Sequence, residues 1–131
     1  ITFGYNGCTH CRVVFSVNEA KSWYSYRDGQ WQQVILNQDN VAEYGMTFAE
    51  VNALSATQWA ELLKTNTLRI AVLMKVTAPT ETAWLTSIAV SGNKQAYWEV
   101  TDAYTDTYTT YHTLTLTITQ AGNYRVNYLT E

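Results

Sequence analysis

The sequence predicts a mostly β fold, an antiparallel β-sandwich of about eight short strands, and three features predict it. Runs rich in Val, Ile, Thr, Tyr and Trp alternate with a period of two. Gly, Asn, Asp and a single Pro punctuate those runs at short spacing. With 10 Tyr, 5 Trp and 47% hydrophobic residues, the chain can fill a core between two sheets.

In chain order, residues 1–11 read as irregular, because Gly4, Asn6, Gly7, Cys8 and Cys11 cluster there. Strands follow at 12–17, with Val13, Phe15 and Val17 on one face, and at 22–26. Arg27-Asp28-Gly29 is a hairpin turn, because Asp-Gly supplies the positive φ angles a tight turn needs. A third strand covers 30–36. The only helical region expected is a corner at 47–64. There Thr47 and Glu50, then Ser55 and Gln58, have capping-box spacing. Phe48, Val51 and Leu54, then Trp59, Leu62 and Leu63, recur at helical intervals. Two short helices are expected, at about 47–53 and 56–64.

Residues 67–76 form a long strand apolar on both faces, which belongs in the middle of a sheet under other structure. Strands follow at 83–90 and 95–100. Thr101–Thr110 is rich in Tyr, Thr and Asp and reads as a loop or an irregular strand. At 111–119, Leu114, Leu116 and Ile118 alternate with a threonine ladder. A last strand covers 124–129. No repeat, linker or low-complexity tract appears, so residues 1–131 are expected to be one domain, a size suited to a single core.

Net charge is −3 with no Lys/Arg run, which argues against nucleic acid as a partner. No apolar run reaches the roughly 18 residues of a membrane span. Charged residues make up 15% of the chain, so Thr, Ser, Asn, Gln and Tyr dress the surface, as on many secreted or virion domains. The opening Ile1-Thr-Phe-Gly lacks Met and a signal-peptide pattern. It reads as a processed chain or an excerpt of a longer one.

The sharpest chemical motif is Cys8-Thr9-His10-Cys11. It is compatible with a disulfide, with free thiols, with part of a metal site completed by His10 or His112, or with a redox pair. Four ligands are needed for structural zinc, and His10 lies awkwardly between the two cysteines. No thioredoxin-like βαβ alternation follows. Neither a nucleophile elbow nor a phosphate-cradling glycine loop is present, and the carboxylates are scattered. No enzyme activity and no cofactor are expected. The five Trp read most simply as core or half-core residues. Tyr104, Tyr108 and Tyr111, in a polar stretch, are the recognition candidates, since exposed Tyr among short polar residues suits adaptable binding surfaces.

Several segments in series carry a family resemblance: Val13-Val-Phe-Ser-Val17, Lys21-Ser-Trp-Tyr-Ser-Tyr-Arg-Asp-Gly-Gln-Trp31, Tyr44-Gly-Met-Thr47, Leu54-Ser-Ala-Thr-Gln-Trp59, Leu68-Arg-Ile-Ala-Val72 and Leu85-Thr-Ser-Ile-Ala-Val90. Over about residues 12–90 this order resembles a β-domain of tail-associated and minor structural proteins of phages and prophages of Gram-positive bacteria. Asn18-Glu-Ala-Lys21 stands where that family usually has Asp-Gly-Gly. The Cys8/Cys11 opening and the Tyr/Thr-rich tail lie outside the pattern. The resemblance implies a structural or host-receptor-engaging role in a virion or outside the cell. The partners it implies are other tail proteins, a host cell-surface glycan, or copies of the chain in a homo-oligomer such as a trimer. A carbohydrate-binding module is an alternative. So is a filament or adhesin subunit that assembles by strand addition, with residues 1–17 as the donor.

Overall fold

The structure is a computed structural model that describes residues 1–64, 67–90, 98–104, 109–117 and 122–124, with side chains over 1–64 and 68–89. It is mostly β, with two antiparallel sheets and three short helices among the described residues. The strands are β1 (Thr2–Gly7), β2 (Arg12–Ser16), β3 (Trp23–Arg27), β4 (Gln30–Val34), β5 (Thr67–Lys75), β6 (Ala83–Val90), β7 (Trp98–Tyr104), β8 (Thr109–Thr117) and β9 (Gly122–Tyr124). The helices are α1 (Gln38–Tyr44), α2 (Phe48–Asn52) and α3 (Ala56–Leu62). One sheet runs β4-β3-β2-β5-β8-β7 and the other β1-β6-β9.

As the sequence predicts, β5 is central, between β2 and β8, and is buried on both faces. Leu68, Ile70, Val72 and Met74 join the main core, whereas Ala71 and Leu73 join a second cluster on the opposite face. The same holds for β2, where alternation alone suggested one buried face. Val13 and Phe15 enter the main core and Val14 the second cluster. The main core also takes Phe3, Leu85 and Ile88 from the smaller sheet, and Phe48, Val51, Trp59 and Leu62 from α2 and α3. Phe15 meets Trp59 and Trp31 edge-on, at centroid distances of 5.0 and 6.2 Å. The Trp31 indole N–H donates to the Gln58 carbonyl at 2.8 Å, tying β4 to α3.

The helical corner ends slightly short of its expected bounds. Ser55 and Gln58 make a full capping box. At α2 the Thr47 hydroxyl oxygen accepts the Glu50 N–H at 3.1 Å, and its O–H turns to the Glu50 carboxylate. Helix α1 corrects the expectation of a single helical region. Its segment is polar and buries only Val41, so it carries almost no apolar period. What starts it is a cap, with Asn37 Oδ1 accepting the Asn40 N–H at 2.8 Å. That cap also ends β4 at Val34 rather than at Leu36, leaving Ile35 and Leu36 exposed. Val41 packs in the second cluster beneath Val14, Ala71 and Leu73, so α1 covers the far face of the larger sheet.

Strand β1 corrects the irregular reading of the first residues. It pairs with β6, with Phe3 opposite Ile88, and its register shifts between Gly4 and Tyr5. Here glycine marks close approach: a Cβ on Gly4 would strike the Thr86 and Ser87 side chains. On β1, the Asn52 side chain accepts the Phe3 N–H at 2.7 Å and donates to the Phe3 carbonyl at 2.9 Å. Within residues 1–17, β1 and β2 are both paired into the sheets of their own chain.

The Asp28-Gly29 turn has the positive φ values expected of it, 54° and 80°. The β2–β3 turn is less comfortable. Glu19 and Ala20 are left-handed, at φ 61° and 68°. Ser16, Asn18 and Ser22 hold them there through a side-chain network that includes Ser22 N–H to Asn18 Oδ1 at 3.0 Å and Ala20 N–H to Ser16 Oγ at 3.0 Å. A left-handed non-glycine residue costs about 1 kcal/mol or more, and glycine returns part of that gain as unfolded-state entropy. Glu19→Gly should therefore raise folding stability by about 0.5 kcal/mol in urea titration. A loss of stability would show that the network, not the backbone, sets the cost.

Toward the C-terminus the strand bounds shift. β7 extends to Tyr104, so part of the Tyr/Thr stretch is strand, and β8 begins at Thr109. β9 starts at Gly122 rather than at 124. Residues 95–97, 105–108, 118–119 and 125–129 of the expected segments lie outside the described residues.

Candidate functional site

Two groups of residues meet where β1 hands over to β2. The first is the Cys8–Cys11 turn. Strand β1 ends in two consecutive left-handed residues, Gly7 at φ 72° and Cys8 at 62°. They swing the chain from the smaller sheet to the larger. The Cys8 N–H donates to the Thr82 carbonyl at 2.8 Å, and the Cys11 N–H closes the turn on the Cys8 carbonyl at 3.3 Å. Both cysteines are unbonded thiols inside the main core, 7% and 0% exposed.

The two thiols influence each other's titration, and their environments separate them. The Cys8 thiol is pushed well above its ordinary range, first by its interaction with the Cys11 sulfur and then by burial. It also lies 3.6 Å from the Trp84 carbonyl. The Cys11 thiol is lowered, first by its interaction with the Cys8 thiol. The Lys75 backbone N–H and the Arg12 charge add to this against the cost of burial. Arg12 is held in place by donating to the Cys11 carbonyl at 2.7 Å and the Thr9 carbonyl at 3.2 Å.

His10 does not join the sulfurs. Its partly exposed ring reaches the loop after β5, 3.7 Å from Glu81 Oε2 and 3.5 Å from Thr77 Oγ1. The Thr77 hydroxyl and N–H hold the Glu81 carboxyl below its usual range, with His10 a lesser contributor. Among the described residues no group of three or more His, Cys, Asp and Glu side chains is placed to hold a metal. His112 stands in register opposite Val72 of β5 and Asp102 of β7.

The second group is the outer face of the smaller sheet. Leu85, Ile88 and Phe3 point into the core, so Trp84 and Thr86 point out. Trp84 is 43% exposed and stands opposite exposed Asn6. Thr82 and Thr86, two residues before and after it, are exposed, and none of these residues is charged. Trp84 departs from the reading of the Trp residues as core or half-core. Trp23 and Trp59 are buried and Trp31 half-buried, but Trp84 is in phase with Thr86 rather than with Leu85. That phase was the available clue.

Of the three tyrosine candidates, Tyr104 lies opposite Thr110, and Tyr111 lies opposite Ala103 and Leu73. The backbone thus brings Tyr104 and Tyr111 onto neighbouring strands at one end of the β7–β8 pair. Tyr108 lies outside the described residues. The chain matches no family model, and no curated protein or solved structure is significantly similar to it.

Proposed function

We propose that this chain is a non-catalytic β-sandwich domain of a phage virion or tail, structural or host-receptor-engaging, that recognises its target through an exposed aromatic face. The observation that carries the reading is Trp84. A solvent-facing indole on a rigid strand, opposite Asn6 and with Thr82 and Thr86 two residues away on either side, joins an apolar platform to short neutral hydrogen-bonding groups. Each such residue is held by the ladder with β1 and by the core behind it. The virion context comes from the resemblance over about residues 12–90. The two layers of the sandwich are the two sheets, which share one core. A carbohydrate-binding role is the second reading, because an uncharged face with one indole matches the apolar face and hydroxyls of a neutral sugar. The partners in these readings are tail proteins, copies of the chain, or a cell-surface glycan, met in a virion or outside the cell.

Trp84→Ala is the decisive variant. It should abolish binding to host cells or to an arrayed glycan, while the thermal midpoint stays within about 3 °C, as for a surface substitution. Light scattering and negative-stain imaging of the full chain give the assembly state. A stable monomer whose binding is indifferent to Trp84→Ala would end both readings.

A further inference from the structure

We propose that Cys8 and Cys11 are an oxidation site, a buried dithiol that a small hydroperoxide converts into an intrachain disulfide across the turn joining the two sheets.

The geometry comes first. A β-turn holds its first and fourth Cα atoms within about 7 Å, and disulfides span about 4.4–6.8 Å between Cα atoms. Cys8 and Cys11 are the first and fourth residues of a turn closed by its own hydrogen bond of 3.3 Å. Both side chains belong to the same buried core cluster, so closing the bridge asks for side-chain rotation rather than backbone travel. The turn is anchored on both sides. Cys8 N–H is fixed to Thr82, and β2 begins at Arg12 with Val13 paired to Val72. The chain holds 2 Cys in all, so no third thiol competes within it.

Burial selects the oxidant. Cys8 and Cys11 are 7% and 0% exposed, which favours a molecule as small as hydrogen peroxide over a bulky disulfide. Cys11 is the attacking sulfur, because the Lys75 N–H, the Arg12 guanidinium and the Cys8 thiol all favour its thiolate. Its lone pair attacks one peroxide oxygen. The O–O bond breaks, hydroxide leaves and takes a proton to become water, and Cys11 becomes a sulfenic acid. Cys8 then gives up its proton and attacks the Cys11 sulfur. The S–S bond forms, the S–O bond breaks, and the oxygen departs as a second water. Two thiols lose two electrons and one peroxide gains them.

The full-length protein is treated with hydrogen peroxide, denatured and alkylated, with and without prior reduction. The expected result is an intact mass lower by two hydrogens, with both cysteines refractory to alkylation until reduced. Cys8→Ser should stop at a sulfenic acid on Cys11 that dimedone traps. Cys11→Ser should give no trapped adduct at Cys8 over the same time. Full alkylation of both cysteines after wild-type oxidation, or a disulfide-linked dimer in place of the intrachain bridge, would overturn the proposal. The wild-type measurement decides the matter even if a serine variant fails to fold.

Discussion

Replacing Phe15 with alanine should cost about 4 kcal/mol of folding stability. Phe15 is fully buried on β2, a strand covered on both faces. Its ring meets Trp59 at 5.0 Å and Trp31 at 6.2 Å, both nearly perpendicular. Deleting it removes a large transfer contribution, leaves a cavity the sheet cannot close, and forfeits two edge-to-face contacts of about 1 kcal/mol each. Since domains of this size hold about 5–15 kcal/mol in total, the variant should be marginal at room temperature. Phe15→Leu should keep most of the lost stability. Urea unfolding followed by Trp fluorescence reads both variants. A loss under about 1.5 kcal/mol for Phe15→Ala would mean that the aromatic corner is not packed as described.

Gly7→Ala should cost about 3 kcal/mol, far more than Gly29→Ala at about 1 kcal/mol, although both glycines have positive φ. The φ values, 72° and 80°, are close. The difference is space. A Cβ on Gly29 would meet nothing within 4 Å, whereas one on Gly7 would collide with the Thr82 backbone carbonyl. That carbonyl also accepts the Cys8 N–H, so moving it apart breaks the anchor of the Cys8–Cys11 turn. Equal thermal shifts in the two variants would show that conformation alone, and not the close approach to β6, decides the cost.

These elements show where the sequence was readable. β5 could be placed centrally because apolar residues filled both of its phases, and the Asp28-Gly29 hairpin because its turn chemistry is local. The capped helices α2 and α3 were readable for the same reason: cap and apolar stripe lie within a few residues. What was missed depends on contacts distant in sequence. Strand β1 is held by β6 and Asn52, and its glycines, which weaken strand propensity, are there because the partner comes close. Helix α1 is a polar segment stabilised by one cap and by Val41 against a face that only the sheet creates. The site divides the same way. The Cys8–Cys11 pair announces itself by spacing, but its neighbours Thr82, Lys75 and Trp84 come from segments far along the chain. Trp84 was hidden by its residue type, because Trp on a strand is usually inward and only its phase with Thr86 says otherwise.

The Asn52 amide has a meaning beyond the local fold. An outermost strand with open N–H and C=O groups is a template on which a stranger's chain can add. Asn52 presents an N–H and a C=O of its own to Phe3, a side chain imitating one peptide of a missing neighbour strand. It occupies that rung without extending the ladder, because nothing continues beyond the amide. The amide thus fills the rung at Phe3, the most apolar position of β1, against strand addition there.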